Sequence, residues 1–203
     1  MTKVKICGIT SPGDAAFAVE CGADAIGFVF ADSPRRVSVR IAREISRAVG
    51  PWVATVGVFV NENAKNILQI ASECRLSAIQ LHGDESASFA GSLTGCRVIK
   101  AFRIADQTDL KGVQDYKADA YLFDTRVTGA YGGSGKSFDW KILRSASVSK
   151  PYILSGGLNP KNIRTAIQML KPYGVDASSG LEKSPGKKDP KLVKEFIRNA
   201  KKF

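Results

Sequence analysis

Eight short runs of β-branched or apolar residues punctuate the chain, at 4–9, 25–30, 52–60, 78–81, 98–102, 120–123, 152–154 and 174–177, with segments of helical spacing between them. A tight turn cannot join parallel strands, so strand–helix alternation of this kind predicts a parallel sheet whose crossovers lie on its faces. The helix starts carry suitable chemistry. Ser11-Pro12 with Asp14 reads as a capping box, and Asn159-Pro160 and Asp189-Pro190 each set a capping side chain before a proline. After the seventh run, Ile163, Ala166, Ile167 and Leu170 fall at i, i+3, i+4 and i+7. Eight units of about 25 residues suit a closed α/β barrel, (β/α)8, better than the alternative of an open doubly wound sheet. No composition shift or Pro/Gly linker divides the chain, so residues 1–203 are read as a single domain.

Composition excludes several classes. The longest apolar stretches, around 25–31 and 53–60, are strand-sized and far short of the ~20 residues that cross a bilayer, so no membrane partner is expected. The N-terminus enters the first run with no signal-peptide pattern, which points to the cytoplasm. Cys7, Cys21, Cys74 and Cys96 form no C-x-x-C pair and His82 is the only histidine, so the spacing of a structural zinc site is missing. The net charge of +11 is concentrated at one end: residues 183–203 hold eight Lys/Arg against two Asp/Glu, which is +6. Leu192, Val193, Phe196, Ile197 and Ala200 give that region an apolar helical face, so its lysines read as the solvated side of a packed helix. No aromatic-interleaved basic patch accompanies them, and no nucleic-acid partner is expected.

In a closed parallel barrel, chemistry comes from the C-terminal ends of the strands and the loops after them. The first run ends in Lys5-Ile6-Cys7-Gly8, which sets a thiol at the barrel top; it is either a catalytic group or a small buried hydrophobe. The sixth delivers Asp124, either a general acid with a raised pKa or a cap for the next turn. The following Gly129-Ala130-Tyr131-Gly132-Gly133-Ser134-Gly135-Lys136-Ser137 is one residue out of register for a nucleotide P-loop and reads as a glycine-rich lid. The seventh and eighth runs end in Ser155-Gly156-Gly157 and in Asp176-Ala177-Ser178-Ser179-Gly180, small-residue turns placed where barrels often bind phosphate. Arg36, after the second run, could clamp a carboxylate, and His82 follows the fourth; each could also be a solvated loop residue. Lys100, near the end of the fifth, is a further candidate as a Schiff-base nucleophile.

Taken together and in order, Lys-Ile-Cys-Gly-Ile-Thr at 5–10, Gly27-Phe28-Val29-Phe30, Gln80-Leu81-His82-Gly83, Gly132-Gly133-Ser134-Gly135, Ser155-Gly156-Gly157-Leu158 and Asp176-Ala177-Ser178-Ser179-Gly180 resemble the phosphoribosylanthranilate isomerases along the whole chain. The resemblance implies Cys7 as general base and Asp124 as general acid, Arg36 and His82 on the anthranilate moiety, and Asp176 supporting the sugar or the reacting centre. It further implies that the turns at Ser155, Gly156, Gly157, Ser178, Ser179 and Gly180 hold phosphate. The implied chemistry is an Amadori rearrangement of a phosphorylated aminosugar without a cofactor, by a monomer or homodimer. The histidine-pathway aminoaldose isomerase is the nearest rival, but it resembles a twofold-repeated barrel with two aspartates and two phosphate sites. A non-catalytic phosphosugar or nucleic-acid binder is the alternative from another class. The strongly basic last helix is not explained by the resemblance.

Overall fold

The computed structural model describes residues 1–125, 139–144 and 148–202; the glycine-rich lid segment read at 129–137 lies outside them. Eight parallel strands close in sequence order: β1 (Lys3–Ile6), β2 (Ala25–Val29), β3 (Ala54–Phe59), β4 (Ala78–Leu81), β5 (Val98–Ile104), β6 (Ala120–Thr125), β7 (Tyr152–Leu154) and β8 (Gly174–Ala177). Closure is made by β1 against β8, with Lys3, Val4, Lys5 and Ile6 opposite Gly174, Val175, Asp176 and Ala177. The barrel is the predicted (β/α)8 form, and the doubly wound alternative is excluded because β1 and β8 pair.

Among the described residues seven helices wrap it: α1 (Pro12–Glu20), α2 (Val39–Ala48), α3 (Ala64–Cys74), α4 (Ala87–Ser92), α5 (Lys141–Arg144), α6 (Ile163–Leu170) and α7 (Pro190–Ala200). Their apolar faces pack on the outside of the sheet against Phe28, Phe59, Tyr121 and Phe123. No helix among the described residues is long and apolar enough to cross a membrane.

Several boundaries differ from the sequence reading, for identifiable reasons. The first strand stops at Ile6 because Gly8 turns the chain at φ +71. The third begins at Ala54, not at position 52: Pro51 lacks the N–H that a ladder needs, and Trp52 stands 94% exposed in the preceding turn. Ser11 does cap α1, accepting from Asp14 N at 3.2 Å, but Asp14 does not complete a capping box. Its carboxylate accepts from Lys188 N at 3.1 Å instead. Asn159 caps the turn ahead of α6, accepting from Lys161 N, and the helix proper starts at Ile163. Between β5 and β6 the chain makes two 3-10 turns, Gln107–Leu110 and Val113–Asp115, in place of a helix.

One element was unforeseen. After β8 a hairpin forms from β9 (Glu182–Ser184) and β10 (Lys187–Lys188), turning through Pro185 and Gly186 at φ +79, the residues a type II turn favours. It folds back onto the β1 loop, where Thr10 Oγ1 donates to Gly186 O at 2.5 Å. Lys188 is buried here, so this part of the basic C-terminal run is internal. α7 itself buries Val193, Phe196, Ile197 and Ala200 as the apolar periodicity requires.

Inside the barrel, side chains alternate by two along each strand. Val56, Ile99, Ala101, Leu122 and Ile153 form an apolar plug. Two residues further along several strands in the same phase, Asp124 on β6 and Ser155 beyond β7 come to the top; Lys5 then Cys7, Gln80 then His82, and Asp176 then Ser178 follow the same phase. A polar layer therefore rests on a dry floor.

Candidate active site

Cys7, Arg36, His82, Asp124, Ser155, Gly156, Gly157, Asp176, Ser178, Ser179 and Gly180 all line one cavity of about 720 Å³ at the C-terminal end of the barrel. Sulfur and carboxyl therefore open into one chamber, which a shared acid–base step requires.

The thiol occupies space made by a glycine. A Cβ on Gly27 would stand 2.8 Å from Cys7 Sγ and 3.0 Å from Lys5 Cε, so β2 must carry glycine where β1 sets the sulfur and the ammonium. Burial pushes the Cys7 thiol above its ordinary pKa; Lys5 pulls it back down, the Asp176 carboxylate pushes it up again, and Lys188 pulls it down. Near neutral pH the thiol is therefore the favoured form.

Asp124 is buried at the end of β6. Its Oδ1 accepts from Thr125 N at 2.7 Å, and its Oδ2 lies 3.2 Å from His82 Nε2. The His82 approach is oblique: Nε2 is buried with no hydrogen-bond partner, so its direction is set from elsewhere. Nδ1 of the same ring faces Gln80 Nε2 at 2.9 Å. His82 is thus buried beside Asp124, and the reading of it as a solvated loop residue does not stand.

Asp176 Oδ2 accepts from Lys5 Nζ at 3.0 Å while Oδ1 is buried and unpartnered, as are Ser178 Oγ and Thr125 Oγ1. For Lys5, burial works against the charge, but Asp176 and Cys7 outweigh it and raise the ammonium's pKa, so it stays protonated. Buried orphan polar atoms at the wall of a cavity are groups awaiting a partner.

The two small-residue turns meet. A Cβ on Gly180 would overlap the Leu158 carbonyl and come within 3.2 Å of Asn159 Cβ, so the β8 turn can rest on the β7 turn only as glycine. Asn159 and Asn162 both donate to Gly157 O, at 3.2 and 2.9 Å, and Gly156 and Gly157 hold φ of +87 and +63. The backbone N–H groups of Gly156, Gly157, Ser179 and Gly180 donate to no other described residue. Amides with no partner among the described residues, on two abutting turns, have the form of an anion cradle.

Arg36 lies exposed at the rim, while Arg35 beside it grips Glu182 with Nε and Nη2 at 2.8–3.1 Å. Lys188 Nζ reaches the same carboxylate at 2.8 Å and Ser178 O at 3.3 Å. Burial would raise Glu182, but the hydrogen bonds from Arg35 and Lys188 overcome it and hold the carboxyl below its ordinary value. This cluster clamps the β9–β10 hairpin to the β2 loop and so fixes one wall of the cavity. Sequence reading missed it because its partners lie about 150 residues apart and meet only on closure.

Lys100 is not part of the site. It alternates with the inward Ile99 and Ala101, so it points outward, where its Nζ donates to Gly83 O and Glu85 Oε2, both at 2.7 Å. A lysine buried, paired and turned away from the cavity is no Schiff-base nucleophile.

Fold and site together have the form of a (β/α)8-barrel enzyme whose cavity brings a thiol, a carboxyl group and the turns after the last two strands to one place. Comparison with known proteins gives the same answer in finer terms. Residues 4–199 match the model of the PRAI family, N-(5'phosphoribosyl)anthranilate (PRA) isomerase. The N-(5'-phosphoribosyl)anthranilate isomerase of Thermotoga neapolitana is 52% identical over 204 residues, covering 99% of each chain. The crystal structure of phosphoribosyl anthranilate isomerase from Thermotoga maritima superposes with TM-score 0.94 at 46% identity, over 100% of both chains. A second Thermotoga maritima structure, described as monomers of the dimeric enzyme, gives TM-score 0.90 at 43% identity over the same span. A phosphoribosyl anthranilate isomerase in complex with reduced 1-(o-carboxyphenylamino)-1-deoxyribulose 5-phosphate gives TM-score 0.90 at 44% identity, again over 100% of both chains. This chain belongs to the phosphoribosylanthranilate isomerase family, whose members carry out an aldose–ketose isomerisation in tryptophan biosynthesis.

Proposed function

We propose that the cavity binds N-(5'-phosphoribosyl)anthranilate with its phosphate on the turns at 155–157 and 178–180, and that Asp124 and Cys7 act on the ribose as acid and base. The observation that carries this is the placing of both groups on one chamber beside backbone amides that have no partner among the described residues. Asp124 gives its proton to the furanose ring oxygen; the C1′–O bond breaks and the nitrogen lone pair forms a protonated Schiff base. Cys7, its own proton lost to solvent once the cationic Schiff base has formed, takes the C2′ proton as thiolate and leaves an enolamine; the C2′ hydroxyl then gives up its proton as C1′ gains one, and Asp124 is reprotonated from solvent. Atoms balance within the substrate, and the two side chains exchange protons with it and with solvent.

Timing accounts for the thiol's environment. Cys7 is needed as a base only after ring opening, when a cationic nitrogen stands next to the carbon it attacks; that charge favours the thiolate that burial disfavours. Asp176 Oδ1 offers an acceptor to a sugar hydroxyl, and Arg36 at the rim offers a guanidinium to the anthranilate carboxylate. His82 lies where it can contact both the acid and the aromatic moiety. The chain acts as one catalytic domain over 1–203, in the cytoplasm, as a monomer or homodimer. The dimeric Thermotoga maritima relative supports the second state, to be checked by light scattering.

The test follows loss of substrate fluorescence for wild type, Cys7→Ala and Asp124→Asn. Each variant should lose roughly 10²–10⁴ in turnover, the usual worth of a positioned acid or base, while melting like wild type. Near-normal turnover in either variant refutes that residue's role.

A further inference from the structure

Three inward polar side chains, Lys5, Gln80 and His82, run in a hydrogen-bonded line from Asp176 across the barrel, and the line ends with His82 Nε2 3.2 Å from Asp124 Oδ2. The order of donors along that line is forced. Lys5 Nζ can only donate, and it donates to Asp176 Oδ2 at 3.0 Å and to Gln80 at 2.9 Å, so the oxygen end of the Gln80 amide must face it. The amide nitrogen then faces His82 Nδ1 at 2.9 Å. An amide nitrogen can also only donate, so Nδ1 must be the bare, accepting nitrogen of the ring and the imidazole proton must sit on Nε2. That Nε2 is buried, unpartnered and 3.2 Å from Asp124 Oδ2.

We propose that Gln80 is a positioning residue that, oriented by Lys5, locks His82 in its Nε2–H tautomer and so presents a hydrogen-bond donor to Asp124 and the bound substrate. The inference rests on the reading of Asp124 as the acid. When Asp124 releases its proton to the ring oxygen, the Nε2–H can swing onto the new carboxylate and stabilise it. The opposite tautomer would set a lone pair against that carboxylate and oppose the same step. Glutamate at position 80 would invert the order, because its carboxylate accepts from Nδ1–H as well as from Lys5. The chain has therefore a reason to carry an amide, and not an acid, two residues before the histidine.

His82 is the only histidine in the chain, so its ring nitrogens give a single spin system in a long-range 1H–15N spectrum. At about pH 8, above the ordinary imidazole range, the wild type should show Nδ1 bare and Nε2 protonated. Gln80→Met keeps the side-chain length and removes the amide; it should give a mixture of tautomers. Gln80→Glu should move the proton onto Nδ1 or protonate both nitrogens. Both variants should lose about 10- to 100-fold in kcat, the worth of one hydrogen bond to a charged group, with a smaller change in KM. A wild-type spectrum with the proton on Nδ1 overturns the proposal, as does a Gln80→Met spectrum or kcat indistinguishable from wild type. Failure of the acid assignment is distinguishable, since it shows as active Asp124→Asn with the wild-type tautomer unchanged.

Discussion

Replacing Lys100 by methionine separates structure from catalysis at a lysine that sequence alone offers as a nucleophile. In the fold, Glu85 is buried and accepts from Lys100 Nζ at 2.7 Å, from Asn61 N at 2.9 Å and from Gly83 N at 3.1 and 3.0 Å. Methionine keeps the apolar stem but strips the carboxylate of its counter-ion and Gly83 O of its donor. Breaking one partner of a buried ion pair costs about 3–5 kcal/mol, because the other charge is left without compensation in a poorly solvated site. Three backbone contacts remain on Glu85, which favours the low end of that range. A chain of this length loses roughly 2–4 °C of Tm per kcal/mol, so the melt should fall by roughly 6–20 °C. Turnover at a temperature where the variant is folded should stay within about threefold of wild type, since nothing facing the cavity has changed. Adding Glu85→Gln should recover part of the loss, as the uncompensated charge is gone. The measurements are thermal melts and substrate-loss kinetics on the same preparations. An unchanged melt together with a hundredfold loss of turnover, or trapping of a substrate adduct on Lys100 by borohydride, would refute the reasoning.

Gly180→Ala should raise KM by roughly 10- to 100-fold with little change in kcat, because the new methyl group drives the β8 turn off Leu158 and spoils one or two of the amide contacts proposed for the phosphate. Inorganic phosphate should inhibit the wild type competitively and raise its Tm, and should do neither for Gly180→Ala; equal protection of both proteins would dismiss the cradle. Glu182 has a depressed folded-state pKa, so its contribution to stability is whole above its unfolded pKa and fades as the pH falls through the folded one. Melts of Glu182→Gln from about pH 7 to 3 should therefore lose less stability on acidification than wild type, and parallel curves would contradict the clamp. Gly27→Ala should cost turnover more than stability, since its methyl group meets the Cys7 sulfur and the Lys5 stem and must displace the proposed base; a variant with full kcat would show that the sulfur has room to move.

The strand positions, the apolar helix faces and the residues at the strand ends are legible in the sequence because each rests on local periodicity or local turn chemistry. Ile163, Ala166, Ile167 and Leu170 are buried as their spacing requires, and Cys7, His82 and Asp124 emerge together at the barrel top because each closes a run of two-residue alternation. The same alternation, counted carefully, sends Lys100 outward. What the amino-acid order could not settle was which distant groups meet. Closure of β1 on β8 brings Lys5 to Asp176, 171 positions away, and Gln80 to Lys5, 75 away; only these contacts fix the amide and imidazole protons. The Arg35–Glu182–Lys188 clamp and the seating of Gly180 on Leu158 depend in the same way on loops packed side by side at one end of the barrel. Local propensity acts over a turn or a strand, whereas the direction of a buried hydrogen bond is decided by whatever partner the closed barrel places within 3 Å of it.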